Sequence, residues 1–138
     1  MTDVVSSAAV TTVLVVEDDL VLRSLATEVF EMEGYAVQSF DTADAAWGWL
    51  ESDPLPPDLL FTDVRMPGRL DGLALAKQVR QRFPQLPILV SSGYTGQQYA
   101  EREERALFLP KPWTLDHFIG VISDQLARSA SLRAQPAA

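Results

Sequence analysis

Five times along the chain a short run of β-branched and aliphatic residues is followed by a longer segment whose apolar residues recur at helical spacing. Such alternation implies β-α-β units, a parallel sheet and helices on both of its faces. Val13-Leu14-Val15-Val16 is the first run, apolar on both faces as a central parallel strand requires, and Leu20 to Glu33 follows as an amphipathic helix stopped by Gly34. Tyr35 to Phe40 reads as the second strand. Asp41 or Thr42 can cap a second helix running to about Glu51, and the prolines at 54, 56 and 57 end it before the third strand, Asp58 to Thr62. Asp71 is placed to cap a third helix, Gly72 to Phe83, and Pro84 and Pro87 lead into a fourth strand, Ile88 to Ser91. Leu107-Phe108-Leu109 reads as strand five, and Thr114 can cap a last helix in which Leu115, Phe118, Ile119, Ile122 and Leu126 share one face.

The expectation is a doubly wound, five-stranded α/β fold with strand order 2-1-3-4-5 and five flanking helices. The fourth helix, within Thr95 to Arg105, is highly charged and poor in large aliphatics, so it should be short or mobile. At 138 residues the chain fits one compact unit, expected over residues 12–128, with a flexible segment at 1–11 and a disordered tail at 129–138.

Composition narrows the function. The formal net charge of −8 repels phosphate backbones and anionic lipid, and the basic residues are scattered among acids, as in Glu101 to Arg105, so neither nucleic acid nor a membrane surface is an expected partner. Without cysteine there are no disulfides or thiolate metal sites, which suits a reducing compartment; with no signal-like segment or membrane span, the cytoplasm is the expected location.

On this map Glu17 and Asp18 fall just after the first strand and Asp63 just after the third. These are carboxyl ends of parallel strands, and ligands of open α/β sheets bind outside such ends where the strand order reverses, here between strands one and three. Three carboxylates converging there repel one another unless protons or a cation intervene. An all-oxygen set suits Mg²⁺, whereas Zn²⁺ would favour histidine or cysteine, and the only histidine, His117, lies in the last helix. Ser92 and Lys111 bring a hydroxyl and an ammonium to the same rim, a combination suited to a phosphoryl group transferred to a carboxylate, with Asp63 as nucleophile.

Val-Val-Glu17-Asp18-Asp19, Phe-Thr-Asp63-Val-Arg-Met-Pro67-Gly, Asp71-Gly72, Ser92-Gly93 and Lys111-Pro112, in this order, make residues 12 to 127 resemble the response-regulator receiver family with its flavodoxin-like, CheY-like fold. The resemblance implies that Asp63 is the phosphoacceptor, that Glu17, Asp18, Asp63 and the backbone carbonyl of Arg65 bind Mg²⁺, and that Lys111 senses phosphate. It implies a switch in which Ser92 is drawn to the phosphate and Phe108 turns inward, and a cis Lys111-Pro112 bond. It further implies a histidine kinase or histidine phosphotransfer protein as phosphodonor, a downstream protein as target, and a monomer or weak dimer. Ser91-Ser92-Gly93-Tyr94, with a weak helix after it, is similar to receivers in which a Thr-Gly-Tyr-type stretch replaces the usual switch surface, implying an unconventional output surface.

Simpler readings stand beside these. Asp19 is the natural N-cap of the first helix, and Phe108 reads equally well as an ordinary core aromatic. Trp47 and Trp49 cannot share one helical face closely, so one should pack and the other be partly exposed; Trp113 reads as a packing residue and His117 as surface. A phosphatase with an Asp nucleophile would need a second acid two residues on, where Arg65 stands. A constitutive interaction module would normally lack part of a site that is complete here. With no output segment evident after the last helix, a shuttle, a phosphate sink and an allosteric partner remain the alternatives for a signalling phosphoacceptor, which is not an enzyme acting on external substrates.

Overall fold

The computed structural model describes residues 12–52, 56–64, 68, 71–92 and 106–134. Its elements are β1 (Thr12–Val16), α1 (Leu20–Met32), β2 (Ala36–Phe40), α2 (Ala43–Glu51), β3 (Leu59–Asp63), α3 (Gly72–Arg82), β4 (Ile88–Ser92), β5 (Ala106–Pro110) and α4 (Leu115–Ala134). All strand pairs are parallel, as the alternation predicts, and their order is β2-β1-β3-β4-β5, the expected flavodoxin-like order. The expected helix within 95–105 and the expected flexible segment at 1–11 lie outside the described residues.

Two hydrophobic layers sandwich the sheet because successive strand residues face opposite ways. Leu14, Val16, Leu60, Ile88 and Val90 pack with Ala43, Ala46 and Leu50 of α2 and Leu75, Ala76 and Val79 of α3. Val13, Val15, Leu59, Phe61, Leu89 and Leu109 face Ala26, Val29 and Phe30 of α1 and Phe118 and Ile122 of α4. Every residue of β3 is buried, whereas the edge strand β2 is largely exposed. In the second layer Phe30, Phe61 and Phe118 meet in tilted or edge-on pairs with centroids 5.2–5.8 Å apart, geometries that suit the ring quadrupoles.

Side-chain caps fix where the helices begin. Asp19 accepts from the Leu22 N–H, Thr42 from Ala45, Asp71 from Ala74 and Thr114 from His117, so each cap foreseen from sequence is formed, with Thr42 rather than Asp41 serving α2. Gly34, at φ +93°, lets the chain reverse after α1 in a conformation that side chains resist. Asp58 ties the start of the sheet by accepting from the Thr12 N–H at 2.8 Å.

Two expectations need correction. Residues 129–134, expected within a disordered tail, continue α4. This stretch offers no long apolar face, but Ala, Leu and Arg are strong helix formers and no proline intervenes before Pro136. Trp47 and Trp49 are both half-buried against the same layer, because the broad Trp49 ring reaches round α2 to Phe40, 5.9 Å away. His117 is exposed, as expected.

Candidate functional site

Since β1 and β3 are neighbours while their following helices cover opposite faces, their C-terminal ends open on one crevice, and the acids stand there. Glu17 follows β1 directly, and its N–H extends the pairing to β2 by donating to the Phe40 carbonyl at 3.1 Å. Its side chain is only 2% exposed, while Asp18 is exposed at the mouth of the crevice and Asp19 turns away to cap α1. Asp63 is the last residue of β3, one position earlier relative to the strand end than the sequence reading had it, and is 8% exposed.

Carboxylate oxygens of Glu17, Asp18 and Asp63 lie within 4.8 Å of one another. Lys111, just beyond β5, reaches into this group: its Nζ donates to Glu17 Oε1 at 2.6 Å and stands 3.3 Å from Asp63 Oδ2. The other oxygens of Glu17 and Asp63 also have partners, Glu17 Oε2 accepting from the Asp19 N–H at 3.1 Å and Asp63 Oδ1 from the Val64 N–H at 2.7 Å. The Lys111-Pro112 peptide is cis, as the resemblance implied.

Burial, reinforced by the charge of Asp63, raises the Glu17 carboxyl above the ordinary carboxylate range, although Lys111 and the Asp19 N–H pull the other way. For Lys111 burial favours the neutral amine, but the Glu17 hydrogen bond and the charges of Asp63 and Glu17 outweigh it and hold the ammonium form more firmly than usual. Among the described residues three carboxylates face one ammonium, and the residual negative charge with an all-oxygen donor set fits a hard divalent cation.

Further residues brace this group and were not anticipated from sequence. The buried Thr62 hydroxyl donates to the Asp63 carbonyl at 2.8 Å, and the Gly72 N–H donates to Val64 O at 2.7 Å, fastening the start of α3 to the end of β3. The Trp113 indole donates to Ser91 Oγ at 3.1 Å. Of the other sequence candidates, Arg65 lies outside the described residues. Ser92 ends β4 and Phe108 pairs with Val90 in β5, but their side chains lie outside the description.

Residues 13–123 match the response regulator receiver domain model. This chain belongs to the response regulator receiver domain family. The DNA-binding transcriptional regulator NtrC of Salmonella typhimurium is 33% identical over 113 residues, 80% of this chain and 24% of that protein. NtrC of Rhizobium meliloti is 32% identical over 119 residues, 84% and 24% of the two chains. Among solved structures, NtrX from Brucella abortus in complex with ADP superposes with a TM-score of 0.80 at 30% identity, over 91% of this chain and 29% of that one. A response regulator receiver protein from Sinorhizobium medicae gives 0.81 at 25% identity, over 89% and 99%. The receiver domain described here therefore spans about a quarter of the curated relatives it matches. As a receiver domain it is a phosphoacceptor signalling unit of two-component systems, with the strand order and helix layers the family resemblance implied.

Proposed function

We propose that the receiver takes a phosphoryl group onto the carboxylate of Asp63, with Mg²⁺ held by Glu17, Asp18, Asp63 and the Arg65 carbonyl. The observation that carries this reading is the Lys111 ammonium bridging Glu17 and Asp63 across the crevice between β1 and β3. An Asp63 oxygen attacks phosphorus, a P–O bond forms, and the bond to the donor breaks with its electron pair leaving on the donor. Where the donor is a phosphohistidine, the departing imidazole nitrogen takes up a proton from water. The bound cation supplies charge neutralisation for the phosphoryl oxygens. Lys111 adds a second positive charge already aimed at the acceptor, so little reorganisation is required as charge develops.

Output follows from the position of Lys111 beside β4 and β5. A phosphoryl group on Asp63 competes with Glu17 for the Lys111 ammonium and draws in the Ser92 hydroxyl, with Phe108 turning inward, shifting the β4-β5 surface between two populations. Coupling of this kind is worth about 1–3 kcal/mol. The phosphodonor is a histidine kinase or histidine phosphotransfer protein, and the state passes on by protein contact from a monomer or weak dimer in the cytoplasm. Among the described residues no helix is long and apolar enough to cross a membrane. The charge of −8 speaks against DNA contact by this stretch itself; DNA binding belongs to the names of relatives of which it spans only a part.

Intact mass after incubation with Mg²⁺ and acetyl phosphate tests the reading. One added phosphoryl group, absent from Asp63→Asn and from a chelated sample, is expected; an unmodified wild type, or equal modification of Asp63→Asn, overturns it.

A further inference from the structure

Lys111 is carried on a short connection between β5 and α4, and what aims it is not given by the strand alone. Two residues on, Trp113 is held from two directions. Its ring packs on Phe118 of α4, centroids 4.5 Å apart, and its indole N–H donates to Ser91 Oγ at 3.1 Å. Ser91 is fully buried and stands opposite Asp63 in the β3-β4 pairing and opposite Leu109 in the β4-β5 pairing. A fully buried hydroxyl directly after the apolar run Ile88-Leu89-Val90 is costly unless a partner satisfies it, and the indole does so. The tether therefore fixes the Lys111 turn to the same rung of the sheet that carries Asp63.

We propose that Trp113 is a positioning residue: through its hydrogen bond to Ser91 it holds the Lys111-Pro112 turn so that the Lys111 ammonium stays between Glu17 and Asp63. Packing on Phe118 alone would fix the plane of the ring but leave the turn free to slide along it. The hydrogen bond is directional and removes that freedom.

The chain has two lysines, Lys111 and the exposed Lys77, so competitive acetylation read by peptide mass reports the Lys111 environment against an internal reference, without any phosphorylation. Trp113→Phe keeps an aromatic ring, smaller than the indole, and removes the donor; Ser91→Ala removes the acceptor. Both are expected to raise Lys111 labelling relative to Lys77 severalfold while the melting transition stays cooperative. An unchanged ratio in the two variants overturns the proposal. A kinetic arm rests on the reading of Asp63 as phosphoacceptor: each variant should slow acetyl-phosphate modification about tenfold, as small misplacements at reacting centres do. In a Lys111→Ala background neither should slow it further, because a residue acting through Lys111 has nothing left to position. Equal slowing with and without Lys111 contradicts the proposal. A wild type that takes no phosphoryl group would instead sink the Asp63 reading, and the labelling ratio would still decide the role of Trp113.

Discussion

The main chain of Gly72 lies against the main-chain carbonyl of Asp63 so closely that a Cβ at residue 72 would overlap that oxygen and come within 3.0 Å of Thr62 Oγ1. The obstacle is backbone, which cannot swing aside as the end of a flexible side chain can. Gly72→Ala must therefore push α3 away from β3 or displace Asp63. The expected cost is about 1–3 kcal/mol, the range for overpacked interiors, read as a lower urea midpoint at unchanged slope. Weaker Mg²⁺ binding should accompany it, because the displaced residue belongs to the acidic group.

Mg²⁺ should stabilise the domain by mass action. At a concentration of about 100 times its Kd the gain is about 2.7 kcal/mol, enough to raise Tm by several degrees. Calorimetry with and without chelator should show this rise in the wild type and most of it lost in Asp63→Asn and Glu17→Gln. An equal rise in all three proteins would place the metal elsewhere.

Phe30 touches Tyr35, Phe61 and Phe118 and is fully buried. Phe30→Ala removes the centre of that ring cluster and should cost about 3–5 kcal/mol, a large share of the roughly 5–15 kcal/mol that holds a domain folded. Urea denaturation followed by circular dichroism would measure it. A loss under about 1 kcal/mol would mean that the cluster collapses to fill the gap.

Asp71 stabilises α3 through the Ala74 N–H at 2.8 Å. Asp71→Ala should cost about 1 kcal/mol and Asp71→Asn far less, since an amide oxygen caps nearly as well. Thermal melts of the pair separate capping from loss of the charge, which is common to both variants.

Much of this fold was legible in the sequence because its signals are local. Apolar strands punctuated by glycine and proline, and Asp19, Thr42, Asp71 and Thr114 placed just ahead of helical runs, each declare themselves within a few residues. Glu17, Asp18, Asp63 and Lys111 were legible because strand ends on a parallel sheet gather on one rim, and the structure brings all four together there. What escaped depends on contacts between distant segments. The Ser91 partner of Trp113 is 22 positions away, and nothing near either residue announces the bond. The close approach of Gly72 to Asp63 likewise exists only once α3 has folded back on β3. Residues 129–134 were not legible as helix for the opposite reason: their helical tendency is intrinsic to Ala, Leu and Arg, and no apolar periodicity marks it.

Lys111 and Glu17 are separated by 94 positions, and the strand that delivers the lysine is the last to join the sheet in chain order, at its far edge. Contacts between such remote segments are entropically the slowest to close. Without β5 in place the acids at the ends of β1 and β3 would lack the ammonium that offsets their charge. The charge balance of the crevice is in this way tied to completion of the whole sheet, from its second strand position to its far edge.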